Sequence, residues 1–407
     1  MKLKNRVTKL LATILVAILV FATRECNAQT ITASFAQKIA QYDILGSFTC
    51  GLAKVRKDGK YGFIDKAGNE IVPCVYDDVG YLHDHMAWVR KEEFGGFGYV
   101  DEMGELVIPC KYTRVQDFSE GLAWVNEDGP WCCINRNGEV VFTLEIMSED
   151  RSEFTDGLSV ITPPKGEGTS SIVNTKGEVV TKLMWRSWLG CGISDGLILC
   201  ERYDEEGYLI GYVYLDTQGN VVIDRPEEDS EYVYGYTPFY NGLAAVLRFS
   251  KIDEDADISE GGDVKVGYID KTGKFAIPIS LPCSGYDDQP DFPDPFTCQD
   301  DMILSMKQVG ECGDEGCDFL YGVVDRTGKL VVPYKYRYIQ DFSGGLAAVF
   351  SEEEDKFGYI DKTGKVVIPF KYDSVGFDGF QEGLSVVYLG DKPGYVDKQG
   401  NDTFSVK

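Results

Sequence analysis

The chain has 407 residues, with 40 Lys and Arg against 66 Asp and Glu, for a net charge of −26. A surface this acidic repels phosphate backbones, because nucleic-acid binding depends on clustered cations releasing counterions. Nucleic acid and anionic membrane surfaces are therefore excluded as expected partners, and no Walker, Rossmann, zinc-finger or triad pattern points to a cofactor or a catalytic class.

Residues 1–28 read as a secretory signal peptide. Lys2, Lys4, Arg6 and Lys9 precede an apolar run from Leu10 to Ala22, and Cys26-Asn27-Ala28 offers small residues before Gln29. The run is shorter than the about 20 residues a membrane-spanning helix needs. Lipid attachment at Cys26 is the rival reading, although Arg24 and Glu25 fit a lipobox poorly. Export to the periplasm, the outer surface or the medium follows, and cleavage deepens the net charge to about −30 by removing five basic groups and one acid. Residues 29–46 form a lead-in, 47–403 an array, and 404–407 a tail.

The array declares itself through a repeated turn. Nine times an Asp or Asn stands three residues before a Gly at the end of an aromatic or β-branched run: Asp65/Gly68, Asp101/Gly104, Asn135/Gly138, Asn174/Gly177, Asp216/Gly219, Asp270/Gly273, Asp325/Gly328, Asp361/Gly364 and Asp397/Gly400. The spacing from Asp65 to Asp101, from Asp325 to Asp361 and from Asp361 to Asp397 is 36 residues each. The eighth copy reads GLAAV, KFGYIDKTG, KVVIP, which describes three short strands per unit. In the turns the Asx side chain caps the bend and Gly supplies a positive φ. A Pro such as Pro369 ends the following strand because it lacks an N–H.

These residues resemble the WG-repeat family. Tyr61-Gly62-Phe63-Ile64-Asp65, Phe97-Gly98-Tyr99-Val100-Asp101, Tyr321-Gly322-Val323-Val324-Asp325 and Phe357-Gly358-Tyr359-Ile360-Asp361 carry the pattern, each followed by Pro73, Pro109, Pro333 or Pro369. Tyr or Phe replaces most of the expected Trp, and copies three to five are degenerate. The resemblance implies an all-β repeat array with no established chemistry. An open, curved or superhelical array is expected, because nine three-stranded units exceed the usual about four to eight four-stranded blades of a propeller; a closed, propeller-like ring is the alternative. A single unit cannot bury its own apolar face, so stacking must stabilise it.

Local motifs weigh less than the repeat. Gly192-Ile193-Ser194-Asp195-Gly196 spells a nucleophile elbow but aligns with Phe118-Ser119-Glu120-Gly121. His83 and His85 bracket Asp84 in a polar bend, which favours an exposed turn over a metal site. Asp253 to Asp257 begins like a calcium loop, but Ile258 and Val264 stand where Gly and the bidentate Glu are required. Three cysteine pairs, Cys191 with Cys200, Cys283 with Cys298 and Cys312 with Cys317, suit local clamps in an oxidising compartment, while Cys74 and Cys110 fall at a core position. The expectation is an exported, non-catalytic binding or scaffold protein with a protein partner, its recognition surface on the enlarged intervals 225–265 and 280–318. The alternatives are a glycan-binding module using Trp88, Trp124, Trp185 and Trp188, and an enzyme using the acids of 287–301. No cofactor is implied, and the oligomeric state is open.

Overall fold

The computed structural model describes residues 31–406 apart from 145–149, 165–167, 188–191, 204–208, 227–231, 251–263, 284–297 and 314–315. Helix α1 (Ala33–Ile39), capped by Thr32 Oγ1 on the Phe35 amide at 3.1 Å, is the one α-helix among the described residues, and the strands all pair antiparallel. Nine sheets follow in chain order, here called blades 1 to 9. They occupy residues 44–76, 78–112, 114–143, 150–182, 186–226, 232–283, 298–336, 346–372 and 374–397.

Blade 1 sets the plan. Its strands Ile44–Thr49, Leu52–Lys57, Lys60–Asp65 and Glu70–Tyr76 pair in sequence order. The last three are the strands read from the sequence. The first is additional, and it is only two residues long in several blades, as at Asp78–Val79 and Arg114–Val115. Blades 1 to 7 thus have four strands, correcting the three-stranded unit; blades 8 and 9 have three. A two-residue strand leaves almost no alternation to detect, which is why the repeat pattern hides it.

The array closes. The first strand of blade 1 packs on both Leu384–Leu389 and Lys392–Asp397 of blade 9, and one core joins Ile31, Phe35 and Ile39 to Leu45 and Phe48 and to Leu384, Val386 and Tyr395. The fold is a nine-bladed, propeller-like ring, the alternative reading, and the expected open array is overturned by this seam. Counting units could not reveal it, because closure depends on what the two ends bury against each other.

Because every blade is a meander, its loops divide between two faces. The turn after the first strand and the Asx-Gly turn after the third share one face, the turn face. The hairpin after the second strand and the crossover to the next blade share the other, the hairpin face. The ends of the strands flanking 251–263 and 284–297, Ser250, Val264, Cys283 and Cys298, all lie toward the hairpin face of blades 6 and 7.

Candidate functional site

The Asx-Gly turns are built as their sequence requires. Asp65 Oδ1 accepts from the amides of Ala67 and Asn69 at 2.8 Å each, and the Gly68 amide donates to the Asp65 carbonyl at 2.9 Å. Asp101, Asp325 and Asp361 repeat the arrangement with Met103, Thr327 and Thr363. The hydroxyl of Thr327 holds the Asp325 carboxyl below its ordinary range, and Thr363 does the same for Asp361. These carboxylates are occupied by their own turns. Gly104 and Gly328 have φ of +84° and +80°, but a second constraint escaped the sequence reading: a Cβ on Gly104 would stand 2.3 Å from the Ile71 carbonyl oxygen, and one on Gly328 2.9 Å from Ile277. Each such turn presses on the fourth strand of the preceding blade. Gly68 and Gly364 do likewise, Gly364 against Val332 and Gly68, which has no fourth strand before it, against Phe35 and Lys38 of α1.

The turns after the first strands form a second set of links. The Gly121 amide donates to Asp84, the Asp156 and Gly157 amides to Glu120 at 2.9 and 2.7 Å, the Gly242 amide to Asp195 at 2.6 Å and the Gly345 amide to Asp300 at 2.6 Å. Basic residues of the Asx-Gly turns add to them: Arg136 pairs with Asp84, and Lys66 with Glu382 at 2.7 Å. Ser194 belongs here as well. Its hydroxyl donates to the Phe239 carbonyl of the next blade, as Ser119 does to Phe154 at 2.7 Å, and a strand, Leu197–Tyr203, follows it instead of a helix. The resemblance to a nucleophile elbow is a by-product of the repeat.

His83 and His85 lie in an exposed turn and point to different carboxylates, His83 Nε2 to Asp117 Oδ2 at 3.7 Å and His85 Nδ1 to Glu102 Oε2 at 2.5 Å. Among the described residues no group of three His, Cys, Asp or Glu is arranged to hold a metal. Asp253 to Asp257 and 287–297 lie outside the described residues; of the later acids, Asp300 caps Gly345 and Asp301 meets Arg326 at 3.2 Å.

Of the tryptophans proposed to stack on sugars, Trp124 is 1% exposed, Trp88 is half-buried edge-on to Phe97, and Trp185 packs on the core of blades 4 and 5. Trp188 lies outside the described residues. Of these four, Trp124 is thus closed to a sugar ring. Cys110 is buried, Cys74 is half-buried with burial pushing its thiol up to about 11, and Cys298 is a buried free thiol with Arg326 Nη1 3.7 Å from its sulfur. Cys200 is also buried. Cys191 and the side chains of Cys283, Cys312 and Cys317 lie outside the described residues, so the clamps 191/200, 283/298 and 312/317 stand as a proposal, with Cys298 unpaired in this structure.

The inner rim of the ring carries residues that the sequence reading did not select. Tyr81 of blade 2 reaches Asp378 of blade 9 at 3.5 Å, past blade 1 between them. Blades that are not neighbours approach only on the inside of a ring, so the first strands line its inner rim. On the same rim, burial raises the Asp117 and Glu153 carboxyls, with His83 opposing the shift of both.

The architecture defines a class, a nine-bladed propeller-like ring of antiparallel sheets made from tandem repeats. At five repeat positions the chain matches the model of the WG containing repeat family: residues 39–61, 61–93, 97–131, 321–352 and 357–392. No curated protein matches the sequence. Among solved structures, a eukaryotic initiation factor is similar at 10% identity and a TM-score of 0.46, over 88% of this chain and 85% of that one. KlHsv2 with its loop 6CD replaced by a Gly-Ser linker is similar at 9% identity and a TM-score of 0.33, over 76% and 93%. Regucalcin of Agrobacterium tumefaciens, a calcium-binding protein, follows at 12% identity and a TM-score of 0.24, over 54% and 85%.

Proposed function

We propose that the chain is an exported, non-catalytic binding module that docks a basic protein partner, at the cell envelope, on the hairpin face of the ring. The observation that carries this reading is the set of exposed acids at the hairpins, together with the net charge. On the hairpin face, exposed acids stand in blades 1, 2, 3, 7, 8 and 9, at Asp58, Glu92, Glu127, Asp318, Glu352 and Asp391, of which Glu92, Glu127, Asp318 and Glu352 meet Arg90, Lys111 and Arg337 in solvent-exposed pairs. The net charge is −26, surface pairs of this kind leave most of that field in place, and a field of one sign favours a partner of the other. The strand ends that flank 251–263 and 284–297, within the enlarged intervals 225–265 and 280–318, lie toward the same face. No helix among the described residues is long and apolar enough to cross a membrane, and export rests on the leader read at residues 1–28.

The test is a pull-down from an envelope extract by the immobilised mature chain at low and at high salt. A basic protein retained at low salt, released at about 0.5 M salt and lost when Glu92, Glu127 and Glu352 are changed to Lys is the expected result. Retention indifferent to both changes, or turnover on a generic hydrolase panel, would remove the reading.

A further inference from the structure

Blade 9 departs from its neighbours at the inner rim. Val115 and Phe118 in blade 3, like Ile339 and Phe342 in blade 8, are separated by two residues, but Val375 and Phe380 are separated by four. The extra residues form a loop that turns at Gly379, φ +62°. The loop is held from several sides. Gln340 Nε2 of blade 8 donates to the carbonyls of Gly376, at 2.8 Å, and Phe377; Ser343 Oγ donates to the Phe380 carbonyl at 2.7 Å; Gln381 Nε2 donates to the Asp378 carbonyl at 2.9 Å. Tyr81 meets Asp378 from the other side at 3.5 Å. Gln340 is itself buried.

Within this restrained loop the Phe377 side chain is 80% exposed, and Tyr81, whose hydroxyl meets the next residue, Asp378, is 40% exposed. An exposed phenyl ring forgoes about 1.5–3 kcal/mol of burial, and a single one is unremarkable on a mobile tip. Here the backbone is already ordered, so a partner that covered the ring would meet little entropy cost. The surrounding charge specifies what would cover it. Asp378 is adjacent, and Asp117 and Glu153 follow on the same rim. Aromatic faces bordered by carboxylates suit a guanidinium, which stacks on the ring and pairs with the acid.

We propose that Phe377, Tyr81 and Asp378 form an anchor for an arginine side chain carried on a segment of a partner protein that enters the ring at blades 9, 1 and 2. This rests on the protein-binding reading and goes beyond it, because the anchor lies on the inner rim in segments that follow first strands, away from the hairpin face. Burial raises the carboxyls of Asp117 and Glu153, and a bound cation would lower both.

A phage-displayed library of random 12-residue peptides is panned on the full mature chain, and enriched peptides are synthesised with Arg or with citrulline for titration. Enrichment of Arg-bearing peptides that lose at least tenfold in affinity, about 1.4 kcal/mol, on Phe377→Ala, and again when Arg becomes citrulline, is expected. Tyr81→Phe should retain most binding and Asp378→Asn should weaken it. Thermal unfolding of Phe377→Ala should match the parent, since the ring packs on little. Enriched peptides that bind the parent and Phe377→Ala equally would overturn the anchor while leaving the binding-module reading standing; failure to enrich any peptide would count against both.

Discussion

The Gly51 amide of the first blade donates to Glu382 Oε1 of the last at 3.1 Å, and Lys66 of the first blade meets the other oxygen of the same carboxylate at 2.7 Å. One side chain thus receives, at the seam, the two contacts that Asp84 receives from Gly121 and Arg136 in the interior of the ring. The junction between the chain's last and first blades is built to the same plan as the other interfaces.

Seam substitutions should therefore destabilise the protein as much as interior ones. Tyr395 is fully buried and its hydroxyl donates to the Gly46 carbonyl at 2.7 Å. Tyr395→Phe should cost about 1–2 kcal/mol, and Phe35→Ala, which empties part of the seam core, about 3–5 kcal/mol. Urea denaturation measures both; values near zero would mean that the ends are apart in solution.

The glycines separate two effects. Gly59 and Gly328 share a positive φ, +77° and +80°, but a Cβ would meet nothing within 4 Å at Gly59 and Ile277 at 2.9 Å at Gly328. Gly59→Ala should cost roughly 1 kcal/mol from backbone strain alone. Gly328→Ala should cost clearly more, because the blade behind it must give way. Equal losses on thermal unfolding would show that the blades are less tightly stacked.

Acid should loosen the tail. Burial pushes the Asp402 carboxyl up, but hydrogen bonds from Lys371 and Ser405 outweigh it and hold the group below its ordinary value. A depressed folded value means stability that is present above the unfolded pKa, about 3.9, and is lost as pH falls through the folded value. Asp402→Asn should thus be less stable than the parent at neutral pH, with the gap closing below about pH 4. Denaturant midpoints of both proteins across pH 2 to 7 would decide it, and a gap constant with pH would rule it out.

Thiol reactivity should rank by burial. Cys50 is exposed, whereas Cys133 is buried with its thiol pushed up to about 12 and Cys110 lies in the core of blades 1 and 2. Iodoacetamide at neutral pH should label Cys50 first and reach Cys110 and Cys133 only in denaturant. Peptide mapping without reductant, on protein from an oxidising compartment, tests the proposed pairs 191/200, 283/298 and 312/317 in the same experiment. Rapid labelling of all six in native protein would remove them.

The sequence made the blades visible because Asp65 and its counterparts repeat a turn whose chemistry admits few residues. It concealed what arises between blades. Gly104 reads as a turn glycine, and nothing in its own neighbourhood tells of the Ile71 carbonyl against it. Glu382 and Gly51 are 331 residues apart, beyond the reach of any local pattern. Of the inner rim, the lengthened spacing between Val375 and Phe380 was legible by aligning the copies. That Tyr81 would stand beside it was not, because two blades must first curve toward each other.

Closure also imposes an order in time. The bond from Tyr395 to Gly46 spans 349 residues, so on a chain that emerges from its N-terminus the first blade is complete long before its final neighbour exists. Until then Leu45, Phe48 and Val55 face solvent on the side that Leu384, Val386 and Tyr395 later cover. Contacts of such long sequence separation are the slowest to form and expose apolar strands while they wait. The open side of the first blade is therefore where the nascent protein is most vulnerable to pairing with another copy of itself, and a ribosomal stall before residue 384 would release a species with that side uncovered.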